Sequence, residues 1–366
     1  MPTAVRAVSA GGRRRRRRRP PALLIIVLVG LAALAAAFVA ARALESDAIP
    51  GGPYLLGAWT FGHRESLERA LDAGALDEVS CDWLQSRPDG SVTAPRFDPG
   101  FAAEARDAGC RVFVTLTDYD QATQRFEPRI SAAILSSGGT RRAHARAVAE
   151  WVERNGFDGV DVDWEAVKGR RRDAFTAFVR ALADEVHQRD LLVAVDVYPK
   201  TSEPGGWDGP RSQDWQRLGD AVDQFRIMTY NYSGSWSGPG PLSPPDWMDR
   251  VLEFAETQVD PGKIMMGLGL YGRLWHGDTT ESLVWSDVQD MVAAEAPRRS
   301  RGASRELTLR FAGDGQTRVA YFPDARAVSA KLRVLHERHP DVGGIYCWLL
   351  GQEDPSVWPL IAARLR

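Results

Sequence analysis

Three acidic side chains recur at every second position of one short segment of this 366-residue chain. Asp161, Asp163 and Glu165 alternate there with the apolar residues Val162 and Trp164. On a β-strand, residues two apart face the same side, so the acids line one face at steps of about 6.6 Å. The apolar face can pack against a layer of helices. The acidic face is then expected to point into the interior of a barrel.

Crowding of three buried carboxyl groups has a chemical consequence. An unpaired buried charge is costly, and neighbouring like charges raise the pKa of at least one carboxyl group. We therefore expect a shared proton, with the outermost group, Glu165, protonated for part of the time near neutral pH, as a general acid must be. Two other interpretations fit the same spacing. One is an exposed edge strand whose acids face water, and the other is a divalent-metal site of the Asp-x-Asp type.

The acids lie in the fourth of eight apolar, β-rich segments that alternate with amphipathic helical stretches. Several segments, such as Leu191–Val195, are continuously apolar, which is typical of parallel strands buried on both faces. Eight such units predict an α/β fold, a closed (β/α)8 TIM barrel, with an open doubly wound sheet as the alternative. The predicted strands are Tyr54–Phe61, Leu76–Leu84, Arg111–Asp118, Phe157–Glu165, Leu191–Tyr198, Val222–Tyr232, Lys263–Tyr271 and Val342–Leu350.

The sequence between strands seven and eight is longer than one helix requires. It contains a predicted hairpin, Glu306–Phe311 and Thr317–Phe322, around a Gly-Asp-Gly turn. A helix is predicted to start near Asp324. We therefore expect a small α+β insertion at about residues 276–322.

Active sites of such barrels lie at the carboxyl ends of the strands. Met228 and Tyr230 share the inward face of strand six, and the same alternation places Tyr198 of strand five beside the cleft. Trp59 lies near the end of strand one, where its aromatic ring can contact a substrate, with a core position as the alternative. Further tryptophans at or beyond predicted strand ends are Trp83, Trp236 and Trp275.

The first 50 residues differ from the rest in charge. They hold nine arginines, seven of them in Arg13–Arg19, and two acidic residues, which leaves 37 basic and 46 acidic residues beyond them. The uncharged stretch Ala22–Ala41 follows, and about twenty helical residues cross a hydrocarbon core of roughly 30 Å. A positive flank is retained in the cytoplasm, so the rest of the chain is expected to be exported.

These features predict one N-terminal transmembrane helix in front of the barrel. The expected parts are a cytoplasmic tail at 1–21, a signal anchor at 22–43, a linker at 44–53 and an extracytoplasmic barrel at 54–366. A signal peptide cleaved near Ala41 or Ala43 is the alternative, and it would make the protein secreted.

The composition also limits the kinds of ligand and partner that the chain is expected to bind. An acidic body argues against nucleic-acid binding. The six histidines and three cysteines form neither a C-x-x-C nor an H-E-x-x-H pattern, so no metal and no cofactor is predicted. Cys81, Cys110 and Cys347 are interpreted as core thiols, with a single Cys81–Cys110 disulfide as the alternative. No motif indicates a protein partner.

The segment Asp158-Gly-Val-Asp161-Val-Asp163-Trp-Glu165 resembles the D-x-x-D-x-D-x-E signature of glycoside hydrolase family 18, the chitinase family. The stretch from Pro239 to Tyr271 resembles the branch of bacterial spore-cortex and germination N-acetylglucosaminidases. The resemblance extends over roughly residues 54–360. Other segments that agree are Met228-Thr-Tyr230-Asn231, Gly267-Leu-Gly-Leu-Tyr271-Gly, Phe322-Pro-Asp-Ala-Arg326 and Gly343-Gly-Ile-Tyr-Cys-Trp348.

The resemblance implies a substrate-assisted mechanism, which is an exception to the use of two carboxylates. The 2-acetamido oxygen of the sugar attacks the anomeric carbon while Glu165 protonates the leaving oxygen. Asp163 is expected to orient the acetamido group, and Asp161 to share a proton with Asp163. Tyr230 is expected to hold the acetamido oxygen, and Trp348 to form the apolar floor beneath the sugar.

Met228, Asn231 and Tyr271 complete the expected set of substrate contacts. Asn231 departs from the family pattern, which usually has aspartate after the tyrosine of strand six. An amide keeps the hydrogen bonding but removes a charge, so an altered pH optimum or substrate choice is expected.

We therefore predict a retaining glycosidase, endo- or exo-acting, on a β-1,4-linked polymer that contains N-acetylglucosamine. Peptidoglycan is favoured over chitin, because an anchored enzyme that faces outwards acts on what lies within reach of its linker. Two alternatives are a catalytically silent, chitinase-like glycan-binding protein and a metal-dependent polysaccharide deacetylase.

Overall fold

The computed structural model describes residues 54–311 and 318–366. Eight parallel strands form a closed barrel, in which the first strand pairs with both the second and the eighth. The eight predicted strands are thereby confirmed, with shifted ends. Their bounds are β1 Leu55–Thr60, β2 Glu78–Ser86, β3 Arg111–Thr117, β4 Gly159–Asp163, β5 Leu192–Val197, β6 Gln224–Ile227, β7 Ile264–Gly269 and β8 Gly344–Trp348.

Helices surround the barrel, and the helix Gly138–Arg154 shows how local sequence sets their ends. The Ser137 hydroxyl accepts a hydrogen bond from the backbone N–H of Thr140, and the Thr140 side chain accepts one from the backbone N–H of Ser137. The helices are α1 Arg64–Asp72, α2 Pro99–Asp107, α3 Pro128–Ile134, α4 Gly138–Arg154, α5 Arg172–His187, α6 Asp208–Arg211, α7 Trp215–Gly219, α8 Pro245–Glu256, α9 Trp285–Glu295, α10 Ala325–Arg338 and α11 Val357–Leu365, with short 3-10 turns at Gly169–Arg171 and Pro261–Lys263.

Packing of β4 against the helix layer fixes the direction of its acids. Val160 and Val162 are fully buried in the same apolar cluster as Val148 and Val152 of α4 and Phe178 of α5. Because successive strand residues face opposite sides, the intervening acids point to the barrel interior. The strand ends at Asp163, two residues earlier than predicted.

An antiparallel five-stranded sheet with helix α9 separates β7 from β8. It encloses a small apolar core of its own that includes Leu274, Leu309 and Phe322. This is the predicted α+β insertion, and it begins at Gly272. Its strands are Gly272–His276, Thr279–Leu283, Arg298–Ser300, Leu307–Phe311 and Arg318–Phe322. Three two-residue strands lie elsewhere, at Val92–Thr93, Tyr119–Asp120 and Arg125–Phe126.

The predicted tail, anchor and linker, 1–21, 22–43 and 44–53, lie outside the described residues. Within 54–311 and 318–366, no helix is long and apolar enough to cross a membrane. Cys81, Cys110 and Cys347 are buried free thiols, as the core interpretation predicted.

Candidate active site

A cleft of about 820 Å³ opens at the carboxyl end of the barrel. Residues at or beyond the ends of β4 to β8 line it, together with residues from the first two strands of the insertion. Eight of the ten predicted site residues are brought together here: Asp163, Glu165, Tyr198, Met228, Tyr230, Asn231, Tyr271 and Trp348.

The other two predicted residues, Asp161 and Trp59, lie below the cleft. Asp161 is 0% exposed and Trp59 is 1% exposed. The Trp59 indole N–H donates a hydrogen bond to Oδ2 of Asp161 at 2.8 Å. Its ring centroid lies 5.8 Å from that of Trp348. Trp59 therefore supports Asp161 and Trp348 from below, in place of the direct sugar contact expected from its position near a strand end.

Arg226 of β6 supplies a buried counter-charge that the sequence analysis did not identify. Its Nη1 lies 2.7 Å from Oδ2 of Asp161, and its Nη2 lies 2.6 Å from Oε1 of Glu78. The side chains of all three residues are 0% exposed. Ser80 also donates a hydrogen bond to Asp161 at 2.9 Å. The expectation of three unpaired acids is therefore wrong for Asp161, because this guanidinium pairs with it.

Asp163 and Asp196 are two buried acids that form no ion pair within the described residues. They are 4% and 3% exposed, and Oδ1 of each has no hydrogen-bond partner among the described residues. Burial raises the pKa of Asp163 well above its usual range, and the charge of Glu165 raises it further. Burial likewise raises the pKa of Asp196, the charges of Asp161 and Asp163 raise it further, and the charge of Arg226 opposes the rise. The sharing of a proton between Asp161 and Asp163 stays a prediction.

Glu165 lies two residues beyond the end of β4 and is fixed from two sides. The Tyr198 hydroxyl donates a hydrogen bond to Oε2 of Glu165 at 2.6 Å. The backbone N–H groups of Glu165 and Ala166 donate to the Asp118 carboxylate at 3.0 and 3.2 Å. Burial raises the pKa of Glu165, and the hydrogen bond from Tyr198 opposes that rise. The carboxyl group is thus held in place and keeps its proton to higher pH than an exposed glutamate does.

Two further acids next to Glu165 were not predicted. Burial raises the pKa of Asp118 to about 8 and that of Asp82 to about 7, and the charge of Glu165 contributes to both shifts. Asp118 directly follows β3, and Asp82 lies within β2. Both therefore stood at or near predicted strand ends, which is the signal that would have identified them. Within the described ranges, no three His, Cys, Asp or Glu side chains are grouped as metal ligands.

Tyr230, Tyr271 and Asn231 form one wall of the cleft. The rings of Tyr230 and Tyr271 meet edge to face with centroids 6.3 Å apart. Asn231 has a backbone φ of 62°, a left-handed conformation that asparagine tolerates better than most residues. Its Oδ1 accepts hydrogen bonds from the Tyr271 hydroxyl and, at 2.7 Å, from Nη2 of Arg273. The departure from the family pattern thus lies inside a connected polar network.

Exposed aromatic rings extend the cleft beyond the acids. Trp207, Tyr232 and Trp236 are 55%, 48% and 64% exposed, and all three line the cleft. In contrast, Trp83 and Trp275 are 1% and 3% exposed and lie outside its lining. Flat apolar rings at an open surface suit stacking on sugar faces. Of the tryptophans singled out beyond Trp59, only Trp236 occupies such a position.

The model of glycosyl hydrolases family 18 matches residues 106–353. The match covers more than half of the chain and includes Glu165, Tyr230 and Trp348. The chain belongs to this family. The predicted resemblance is thereby confirmed, and the family 18 assignment fits a cleft of acids and aromatic rings at the carboxyl end of a barrel.

Relatives of this family 18 chain include bacterial glycosylases. It is 20% identical over 262 residues to the uncharacterized glycosylase YvbX of Bacillus subtilis. The aligned region covers 70% of this chain and 76% of YvbX. It is 26% identical over 290 residues to the cortical fragment-lytic enzyme of the same organism, and this aligned region covers 76% of this chain. The chain thus covers 65% of that enzyme's own length, just under two thirds.

Solved structures show the same fold. A chitinase from Chromobacterium violaceum matches with a TM-score of 0.78 and 23% identity, over 85% of this chain and 98% of that one. The spore cortex-lytic enzyme SleL of Bacillus cereus matches with a TM-score of 0.77 and 20% identity, over 86% and 76%. At these identities the likeness establishes the barrel architecture of the family 18 chain.

Proposed function

We propose that this family 18 chain is a retaining glycosidase that cleaves a β-1,4-linked polymer containing N-acetylglucosamine, with Glu165 as the general acid and base. The observation that carries the proposal is the setting of Glu165. Tyr198 and the turn held by Asp118 fix its carboxyl group in the cleft, and burial raises its pKa. A general acid must hold a proton at working pH, and this setting favours the protonated form.

The substrate's own 2-acetamido oxygen is the nucleophile in this proposal. Asp163 supports that role, because its buried Oδ1 has no hydrogen-bond partner in the described part of the chain and an acetamido N–H would satisfy it. In this proposal the same carboxyl group also stabilises the positive charge that develops as the oxazolinium ring forms. Tyr230, which is 4% exposed and lines the cleft, is the proposed donor to the acetamido oxygen.

Two proton transfers complete the proposed cycle. First, Glu165 gives its proton to the leaving oxygen as the acetamido oxygen bonds to the anomeric carbon and the glycosidic bond breaks. Water then attacks the same carbon, the ring opens, and the Glu165 carboxylate takes a proton from that water. Both displacements invert the anomeric centre, so the product keeps the starting configuration. Trp348 is the proposed floor under the sugar, since its ring lines the cleft above Trp59.

Peptidoglycan is the proposed polymer, and the proposed location is the outer side of the cell membrane with an N-terminal anchor. Three things support this: the arginine run and apolar stretch before residue 44, the short predicted linker, and the relatives named as cortex-lytic enzymes. Recovery of the full-length chain in salt-washed membranes tests the anchor. A shortened chain in the medium would instead indicate a cleaved signal.

Purified sacculi and chitin oligomers, digested side by side with mass analysis of the products, test the activity and the polymer together. We expect N-acetylhexosamine-terminated fragments from sacculi at a higher rate than from chitin. Release from chitin alone contradicts the preference for peptidoglycan. Deacetylated but uncut glycan, or no product at all, contradicts the glycosidase and points to one of the two alternative functions.

Replacement of Tyr198 by phenylalanine is expected to move the basic limb of the pH profile of kcat/KM to higher pH. The Tyr198 hydrogen bond stabilises the charged form of Glu165 and holds its pKa down. Without it the pKa of Glu165 rises further, so the acid keeps its proton to higher pH, although the cluster titrates as a unit. Tyr54→Phe, just before β1 at the opposite end of the barrel, is the control. A limb that stays in place or moves to lower pH contradicts the role given to Tyr198.

A further inference from the structure

Arg273 is the only cation among the described residues that line the cleft, where the carboxyl side chains are those of Asp163, Glu165 and Asp196. It lies on the first strand of the insertion and is half-buried. Its guanidinium carbon lies 5.9 Å from the centroid of Trp236. The cleft therefore has one positively charged position, next to its most exposed aromatic ring.

The charge of Arg273 is not neutralised by the residues around it. Nη2 donates to the neutral amide of Asn231, and the guanidinium carbon lies 5.5 Å from the centroid of the Tyr271 ring. Nε is buried and has no hydrogen-bond partner among the described residues. No carboxylate lies at ion-pair distance from Arg273 in the described part of the chain. A half-buried, unpaired guanidinium is a good binding site for a carboxylate, because its planar donors match the two oxygens.

Asn231 is the residue that keeps this charge available. Aspartate at this position would pair with Arg273 directly, since Oδ1 of Asn231 already accepts a hydrogen bond from Nη2 at 2.7 Å. Asparagine preserves the geometry and leaves the positive charge for another partner. The asparagine at position 231 therefore explains why the guanidinium of Arg273 has no charged partner there.

We propose that Arg273, left unpaired by Asn231, is a specificity-determining residue that selects N-acetylhexosamine glycans bearing a carboxylate substituent over neutral ones. This inference rests on the glycosidase activity proposed above and adds the chemical class of the substrate. Acids in the cleft disfavour an anionic glycan when they are ionised. A cation beside the Trp236 platform offsets that repulsion where the substituent binds.

Glycan strands of equal length, with and without carboxylate groups, test whether the enzyme selects the carboxylate. Peptidoglycan strands freed of peptide present a lactyl carboxylate, peptide-bearing strands present peptide carboxylates, and carboxyl-reduced strands present neither. We expect the ratio of kcat/KM on carboxylate strands to that on reduced strands to fall about tenfold in Arg273→Gln, the value of a hydrogen bond to a charged group. Asn231→Asp is expected to lower the same ratio, because its new carboxylate pairs with Arg273. Arg273→Lys is expected to keep part of it.

Arg298→Gln is the matched control, because it removes an exposed charge from the opposite edge of the same sheet. It is expected to keep the parent's ratio of kcat/KM on carboxylate strands to kcat/KM on reduced strands.

High salt should lower this ratio for the parent and leave that of Arg273→Gln nearly unchanged. Hydrolysis of all strands with an unchanged ratio in both Arg273→Gln and Asn231→Asp overturns the selection and leaves the glycosidase standing. No hydrolysis of any strand by the parent refutes the glycosidase itself. A drop on only one kind of carboxylate strand supports the proposal and identifies which carboxylate is recognised.

Discussion

Glu165→Gln is expected to lower kcat on an N-acetylglucosamine oligomer by about 10³-fold or more, because the amide can neither donate the proton to the leaving oxygen nor accept one from water. The substitution preserves the shape of the side chain and an acceptor for the Tyr198 hydroxyl. KM is expected to change much less than kcat, since the lost interaction belongs to the transition state. Initial rates over a range of substrate concentrations measure both constants.

Stability separates loss of the acid from loss of the fold in this variant. Burial raises the pKa of Glu165 above its unfolded value, so ionisation of this carboxyl disfavours the folded state as pH rises. Glutamine has no such ionisation, and the variant should melt no lower than the parent at pH 7 and above. Glu150→Gln, on the exposed face of α4, is the matched control and should retain parental rates. Equal rates in Glu165→Gln and the parent would remove the basis of the proposed mechanism.

The sequence was sufficient for the barrel because its strands carry a strong local signal. The valine-rich runs of β4 and β5 and the alternation that placed Tyr198 and Tyr230 inward are properties of a few consecutive residues. The hairpin of the insertion was equally predictable, since a Gly-Asp-Gly sequence, typical of turns, stands between the segments of its two paired strands. Such patterns depend on backbone geometry alone, so they can be recognised without knowledge of the tertiary structure.

The electrostatic partners of the acids were harder to predict, because they come from distant strands. Arg226 shares the inward parity of Met228 and Tyr230, so its position was available, but its pairing with Asp161 depends on the width of the closed barrel. Asp118 was likewise visible at a strand end. Its role depends on how the chain turns after β4 and presents two backbone N–H groups to it. Contacts of this kind follow from the fold and cannot be read from spacing.

Exposure of aromatic rings was the least predictable part of the site. Trp59 and Trp83 lie at or close to strand ends, as a sugar platform would, yet neighbouring side chains cover both of them. Trp207 and Tyr232 lie in connections beyond strand ends, and they line the cleft. Whether a ring at the mouth of a barrel is open depends on loop packing, which residue type does not specify.

Arg226→Met is expected to destabilise the barrel by about 3–5 kcal/mol, because it leaves Glu78 and Asp161 buried without their shared counter-charge. Methionine retains much of the length and the apolar stem of the side chain, and it removes the guanidinium, whose carbon lies 3.7 Å from the centroid of the Tyr346 ring. The cost is therefore mainly electrostatic. In a domain of this size it corresponds to a fall in Tm on the order of 10 °C, measured by calorimetry or circular dichroism.

Arg111→Gln is the control that isolates burial as the cause. Arg111 also pairs with Glu78, at 3.2 Å, but its side chain is 44% exposed, so its loss should cost about 1 kcal/mol or less. The deficit of Arg226→Met should also grow with pH. Burial raises the pKa of Glu78 above its unfolded value, and Arg226 opposes that rise. Without Arg226 the folded state binds protons more strongly, so stability falls as pH rises through the shifted range, and the loss at pH 8 should exceed that at pH 5. Similar Tm values for the two arginine variants at both pH values would mean that water or relaxation of the barrel replaces the guanidinium, and Arg226 would then have no special part in holding Asp161 beneath the cleft.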